Sequence, residues 1–189
     1  MCSGCSGYCC KLHVDLTVYD VLRISELSGK DFDSFVQLYE ADETDTFGFR
    51  ALGQIVKLSL AKKSDGYCTF FGSGPDLCCS IEENKPGICL IYPMALDGNK
   101  VVLREDAICP KENIKRADFS KMNSKALEDY GWEWQNYYQF VQEWNNSANG
   151  SENPNEFLDY AIRQVKYEMS PLGRFYRSLK KRLFPHKRV

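Results

Sequence analysis

The sequence predicts a mixed α+β fold: a small, irregular, cysteine-rich metal-binding domain with short strands, flanked and extended by helices. Three observations predict it. Nine cysteines lie among 189 residues, and none falls in the last 80 positions. Apolar residues recur at helical spacing toward both ends of the chain. Between about 50 and 105 that spacing gives way to short apolar runs broken by Gly, Pro and Asp. With 43% hydrophobic and 26% charged residues the composition is that of a globular protein. Wholesale disorder is excluded.

The elements follow in order. Thr17 with Asp20 resembles a capping box, opening a helix through about Ser28 that Gly29 stops. Phe32, Phe35, Val36 and Tyr39 recur at i, i+3, i+4 and i+7, which predicts a second amphipathic helix. Gln54–Leu60, Tyr67–Phe71 and Lys100–Leu103 read as short strands. From about Lys121 the chain turns helical, with Trp134, Tyr137, Tyr138 and Val141 on one face. Residues 145–155 read as a loop. Asn153-Pro154 with Glu156 then starts a helix whose stripe is Leu158, Ala161, Ile162 and Val165. Pro171 restarts a last helix bearing Leu172, Phe175, Tyr176, Leu179 and Leu183. The division expected is a metal-binding domain over 1–118 and a helical extension with a basic tail over 119–189.

Charge is unevenly spread. The whole chain carries a formal -2, but residues 162–189 hold nine Lys or Arg against the single acid Glu168. The remainder holds 15 basic and 25 acidic residues. Packing of the tail on the acidic body is the expected role, ahead of docking to a partner or an anionic surface. Nucleic acid is not an expected partner, because one basic helix without a recognition motif is thin support. No apolar run approaches the roughly 20 residues of a membrane span. The opening MCSGCSGYCCK is not a secretory leader, and Cys2 stands where myristoylation needs Gly. A cytoplasmic protein is the expectation.

The cysteines carry the chemistry. Cys2, Cys5, Cys9 and Cys10 gather four thiols in a segment too short to have its own core. Thiolates hold Zn²⁺ tetrahedrally or hold iron–sulfur clusters, and ligation can offset the cost of ordering such a segment. Four idle thiols would be an oxidation liability. Established spacings fail: no second Cys-x2-Cys completes a zinc ribbon, and Leu12 occupies the third position of a radical-enzyme Cys-x3-Cys-x2-Cys. The step from Cys5 to Cys9 is one residue too long for a ferredoxin run.

Taken together these residues resemble the CxxCxxCC (YkgJ-type) family of zinc- or iron-chelating cysteine-cluster proteins. The resemblance rests on Cys2-x2-Cys5 leading to Cys9-Cys10, then Cys68-Thr69-Phe70-Phe71, Cys79-Ser80-Ile81, Lys85-Pro86, Cys89, Tyr92-Pro93 and Cys109-Pro110. It spans about residues 1–110. It implies that Cys2, Cys5, Cys9, Cys10, Cys68, Cys79, Cys89 and Cys109 are metal ligands. The sequence departs from the pattern by one extra residue in the first motif, by Glu82 for Tyr, by Lys85 for Arg and by Leu90 for Arg. Cys78 falls outside it. His13 is expected to hydrogen-bond at a loop end, and His186 to be solvated.

An iron–sulfur cluster is the first reading of the cofactor, since all-cysteine ligation suits it and Cys109-Pro110 echoes the ferredoxin ending. Structural zinc is the alternative. The corresponding functions are electron transfer or redox-linked modification with a protein partner, or a zinc-stabilised interaction module. No phosphate-binding or nucleophile motif appears, so no catalytic residue is assigned.

Overall fold

The computed structural model describes residues 7–72, 79–97, 100–110, 124–147 and 153–169. Helix α1, Val18–Ser28, begins at the capping box as expected. The Asp20 amide donates to Thr17 Oγ1 at 3.2 Å, and the Thr17 amide donates to Asp20 Oδ2 at 3.0 Å. A cap of this kind contributes about 1 kcal/mol. Gly29 ends the helix at φ 66°, the left-handed conformation glycine adopts without a Cβ clash.

The helix expected from Phe32, Phe35, Val36 and Tyr39 does not form. Phe32–Ser34 is a single 3-10 turn, and Val36–Glu40 is strand β1. Phe35 is fully buried, and its carbonyl accepts from the Ala61 amide at 2.7 Å. From Val36 onward the backbone pairs with strand β3, Gln54–Leu60, from Val36↔Leu60 to Glu40↔Val56. A stripe this short cannot nucleate a helix against an available partner strand.

β3 is the middle of an antiparallel sheet ordered β1-β3-β2, where β2 is Phe49–Ala51. The β2–β3 hairpin turns at Leu52 (φ 54°) and Gly53 (φ 74°), the positive pair a tight primed turn requires. Gly53 takes that conformation freely, whereas Leu52 is an exposed bulky residue held in it. β2 is an edge strand, and its backbone is satisfied by side chains of helix α3, Ser124–Asn146. The Arg50 amide donates to Asn145 Oδ1 at 2.8 Å, and Trp144 Nε1 donates to the Arg50 carbonyl at 3.0 Å. These contacts keep Asn145 and Asn146 helical where a loop was expected, and they close the edge.

Helix α4, Pro154–Met169, starts as predicted, with the Asn155 amide donating to Asn153 Oδ1 at 3.0 Å. Its stripe is buried at Leu158, Ala161 and Val165, with Phe157 added. Phe157 stacks on Phe49 at 3.9 Å and meets Tyr137 and Trp144 edge-on, so one aromatic knot joins α4, α3 and β2. Further elements are described between β3 and α3. Helix α2 is the short Gly87–Ile91, and strands β4, Met94–Asp97, and β5, Lys100–Leu103, form a hairpin registered Met94↔Leu103. The helix expected from Pro171 lies outside the described residues. Among those described, no helix is long and apolar enough to cross a membrane.

Phe157→Ala should therefore lower stability by about 3–5 kcal/mol in a denaturant titration, the usual cost of emptying a buried aromatic site. A loss under about 1 kcal/mol would show that the knot is not the centre of the core.

Candidate metal centre

Cysteines from four separate stretches of chain reach one place. The first stretch is the 3-10 turn Tyr8–Lys11, which carries Cys9 and Cys10. Gly7 precedes it at φ 66°, and a Cβ there would sit 2.2 Å from the Phe71 ring, so the chain passes only as glycine. The turn is tied down through its carbonyls. The Cys68 amide donates to the Cys10 carbonyl at 2.8 Å, and the Lys62 ammonium reaches the carbonyls of Cys10 and Leu12.

The second stretch follows β3. Tyr67–Phe71 was expected as a strand, but two isolated bridges form there instead, Lys62↔Cys68 and Phe71↔Cys79. The backbone after Cys68 folds back instead: the Phe71 amide donates to the Cys68 carbonyl at 2.9 Å, and the Phe70 amide points at Cys68 Sγ at 3.4 Å. A turn that aims an amide at sulfur favours the thiolate. The Phe71↔Cys79 bridge brings in the third stretch, with the Ser80 amide on the Phe70 carbonyl at 2.9 Å.

The fourth is α2, which carries Cys89. It is positioned by Asp20, whose side chain is 2% exposed. Besides capping α1, Asp20 accepts from the Gly87 amide at 2.8 Å and from Arg23 at 2.6 Å. Arg23 in turn donates to Glu133 of α3 at 2.8 Å. One buried carboxylate thus fixes the cysteine-bearing helix against two others.

Cys9, Cys10, Cys68, Cys79 and Cys89 line a single cavity of about 50 Å³. That is several times the roughly 10–15 Å³ that one water-sized sphere needs. Its other walls are chiefly apolar, from Val14, Leu60, Phe70, Phe71 and Ile81. Lys85, only 7% exposed, also lines it, so a buried cation stands where the family pattern has Arg. Leu90 faces away and is 40% exposed. Cys109 stands beside Tyr92, whose hydroxyl accepts from the Ile108 amide at 2.8 Å and hydrogen-bonds to Cys109 while also feeling Cys9. His13 is taken up by Asp15, at 3.0 Å, and by the Tyr39 ring. Cys2, Cys5 and Cys78 lie outside the described residues.

The thiols perturb one another. Cys10 hydrogen-bonds to Cys9, which lowers Cys9, and Lys85 and Lys62 lower it further. That hydrogen bond raises Cys10, as do burial and the charges of Cys9, Cys68 and Cys79. Burial is the first cause of the rise at Cys89, followed by Cys9 and Cys68. Cys68 is raised by burial, with the Phe70 amide and Lys62 acting against it. Among the described residues, no three His, Cys, Asp or Glu side chains close on one point as a ready-made single-ion site.

The donor set fits a thiophilic metal or cluster. Cys10, Cys68 and Cys89, raised in this way, give up their protons at neutral pH when a cation takes the proton's place, and soft sulfur ligands select zinc and iron–sulfur centres. The sequence identified the cysteines, but it did not identify Asp20 or Lys85 as parts of the site. Asp20 was legible only as a cap, because its bond to Gly87 joins residues 67 apart.

Comparison with known proteins gives a family match. The model of the CxxCxxCC family, described as "Putative zinc- or iron-chelating domain", covers residues 1–111, more than half of the chain. No curated protein and no solved structure matches.

Asp20→Ala should cost about 3 kcal/mol, combining a lost cap with the buried Gly87 amide left unpaired and one of the two ion pairs of Arg23 removed, Glu133 being kept. It should also lower metal content although no thiol is changed, read by metal analysis of the purified variant. Full metal content at reduced stability would mean that α2 is held by other contacts.

Proposed function

The chain belongs to the CxxCxxCC family of zinc- or iron-chelating domains, and on that premise we propose that it holds an iron–sulfur cluster through its N-terminal and central cysteines. The observation that carries this reading is the convergence of five thiols from four chain stretches on one small, largely apolar cavity. The proposed donor set is Cys2, Cys5, Cys9, Cys10, Cys68, Cys79, Cys89 and Cys109. All-cysteine ligation suits a cluster, and eight thiols would serve two four-coordinate centres or one cluster with thiols held in reserve.

An iron–sulfur cluster supplies one-electron redox chemistry at a potential set by charge, hydrogen bonds to sulfur and solvent exposure. The chain's own residues act on each of these. The Phe70 amide hydrogen-bonds Cys68 Sγ, Lys85 brings a buried positive charge to the cavity, and Phe70 and Phe71 exclude water. Tyr92 orients Cys109 through its hydroxyl. The role that follows is electron transfer or redox-linked modification with a protein partner, in the reducing cytoplasm where unpaired thiols persist.

Strictly anaerobic purification tests this. Iron and acid-labile sulfide in near-equal amounts, with a brown visible spectrum, are expected. Cys68→Ser and Cys89→Ser should each bleach that absorption. Colourless protein with stoichiometric zinc would replace this reading with a zinc-stabilised interaction module. Serine variants with unchanged spectra would remove those residues from the donor set.

A further inference from the structure

A second concavity lies on the far side of α2. It encloses about 550 Å³, and its lining includes Arg23, Leu90, Glu128, Asp129, Trp132 and Glu133. Arg23 is engaged by Glu133 and Asp20, and among the described residues Glu128 and Asp129 put two acidic side chains on the exposed surface of α3. Its apolar surface comes from Leu90, 40% exposed, and from Trp132.

The chain leaves α4 at the edge of this groove. The Tyr19 hydroxyl donates to Glu168 Oε2 at 2.6 Å, one residue before the helix ends at Met169. The Tyr19 ring meets Trp132 edge-on at 5.3 Å, and Arg23 follows Tyr19 by one helical turn on the same face of α1. Beyond Met169 come 20 residues with seven Lys or Arg and no Asp or Glu. Leu172, Phe175, Tyr176, Leu179 and Leu183 recur among them at helical spacing. Even wholly helical, at 1.5 Å per residue, such a segment spans about 30 Å, enough to cross a groove that begins beside its origin.

We propose that residues 170–189 dock in the groove between α2 and α3 of their own chain, cations on Glu128 and Asp129 and apolar stripe on Leu90 and Trp132. The tail then covers the outer face of the helix that carries Cys89, and the basic segment of one chain is the partner of its own acidic body. The assignment does not depend on which metal the cysteines hold.

The test uses the full chain with the photo-crosslinker p-benzoylphenylalanine in place of Ala126, an exposed residue that lines the groove. Equal amounts of isotope-labelled and unlabelled chain are mixed, irradiated, digested and mapped by mass spectrometry. The expected product joins position 126 to a peptide from 170–189 within one chain. Its yield should fall about threefold to tenfold with Glu128→Lys and Asp129→Lys together, since each attractive pair becomes a repulsive one. It should also fall in about 1 M salt, where screening acts within about 3 Å. Products between labelled and unlabelled chains, attachment to peptides outside 170–189, or a yield indifferent to charge reversal and salt would each overturn the assignment.

Discussion

Five thiols crowded around one cavity are a liability unless something positive holds them, and this constraint organises the rest of the molecule. The hydrogen bond with Cys9 and burial push Cys10 toward the neutral thiol, burial and neighbouring thiols do so at Cys89, and burial does so at Cys68, while Cys9 is pulled the other way by Cys10 and two lysines. Left alone, such a set would be a weakly bonded pocket of sulfur between irregular loops. A metal bound there would convert the same proximity into bonds worth far more than a hydrophobic contact, and the loops around it could then do without a core of their own.

The fold divides accordingly. Where the chain has a core, it uses ordinary means: a capped helix, a three-stranded sheet closed at its edge by Trp144 and Asn145, and the Phe49–Phe157 stack. Where it has cysteines, regular structure is scarce, and the connections are single hydrogen bonds such as the Cys68 amide on the Cys10 carbonyl. Asp20 joins the two regimes. Its carboxylate is half of a helix cap and half of the anchor for α2, so the packed part of the molecule sets the position of at least one sulfur.

This division also explains what was legible in the sequence. Features coded by neighbouring residues could be read directly: the Thr17–Asp20 cap, Gly29, β3, and the start of α4 at Asn153-Pro154. The candidate ligands were legible because residue type alone carries the chemistry of a thiol. Features set by distant partners could not be read. Val36–Glu40 has helical spacing by coincidence and becomes a strand because β3 offers a ladder. Tyr67–Phe71 looks like a strand and instead wraps its backbone around Cys68. Lys85 was legible only as a departure from the family pattern, and its burial at the cavity depends on the chain stretches assembled around it.

The central claim is that the cysteines act as one unit, and per-cysteine alkylation of the anaerobic full-length protein tests it most directly. Labelling is followed by mass spectrometry before and after a chelator removes the metal. The account predicts that Cys9, Cys10, Cys68, Cys79 and Cys89 are protected together and become reactive together on metal removal, although only Cys68 of the five is buried by its own packing. Independent labelling of these five while the metal stays bound would contradict it.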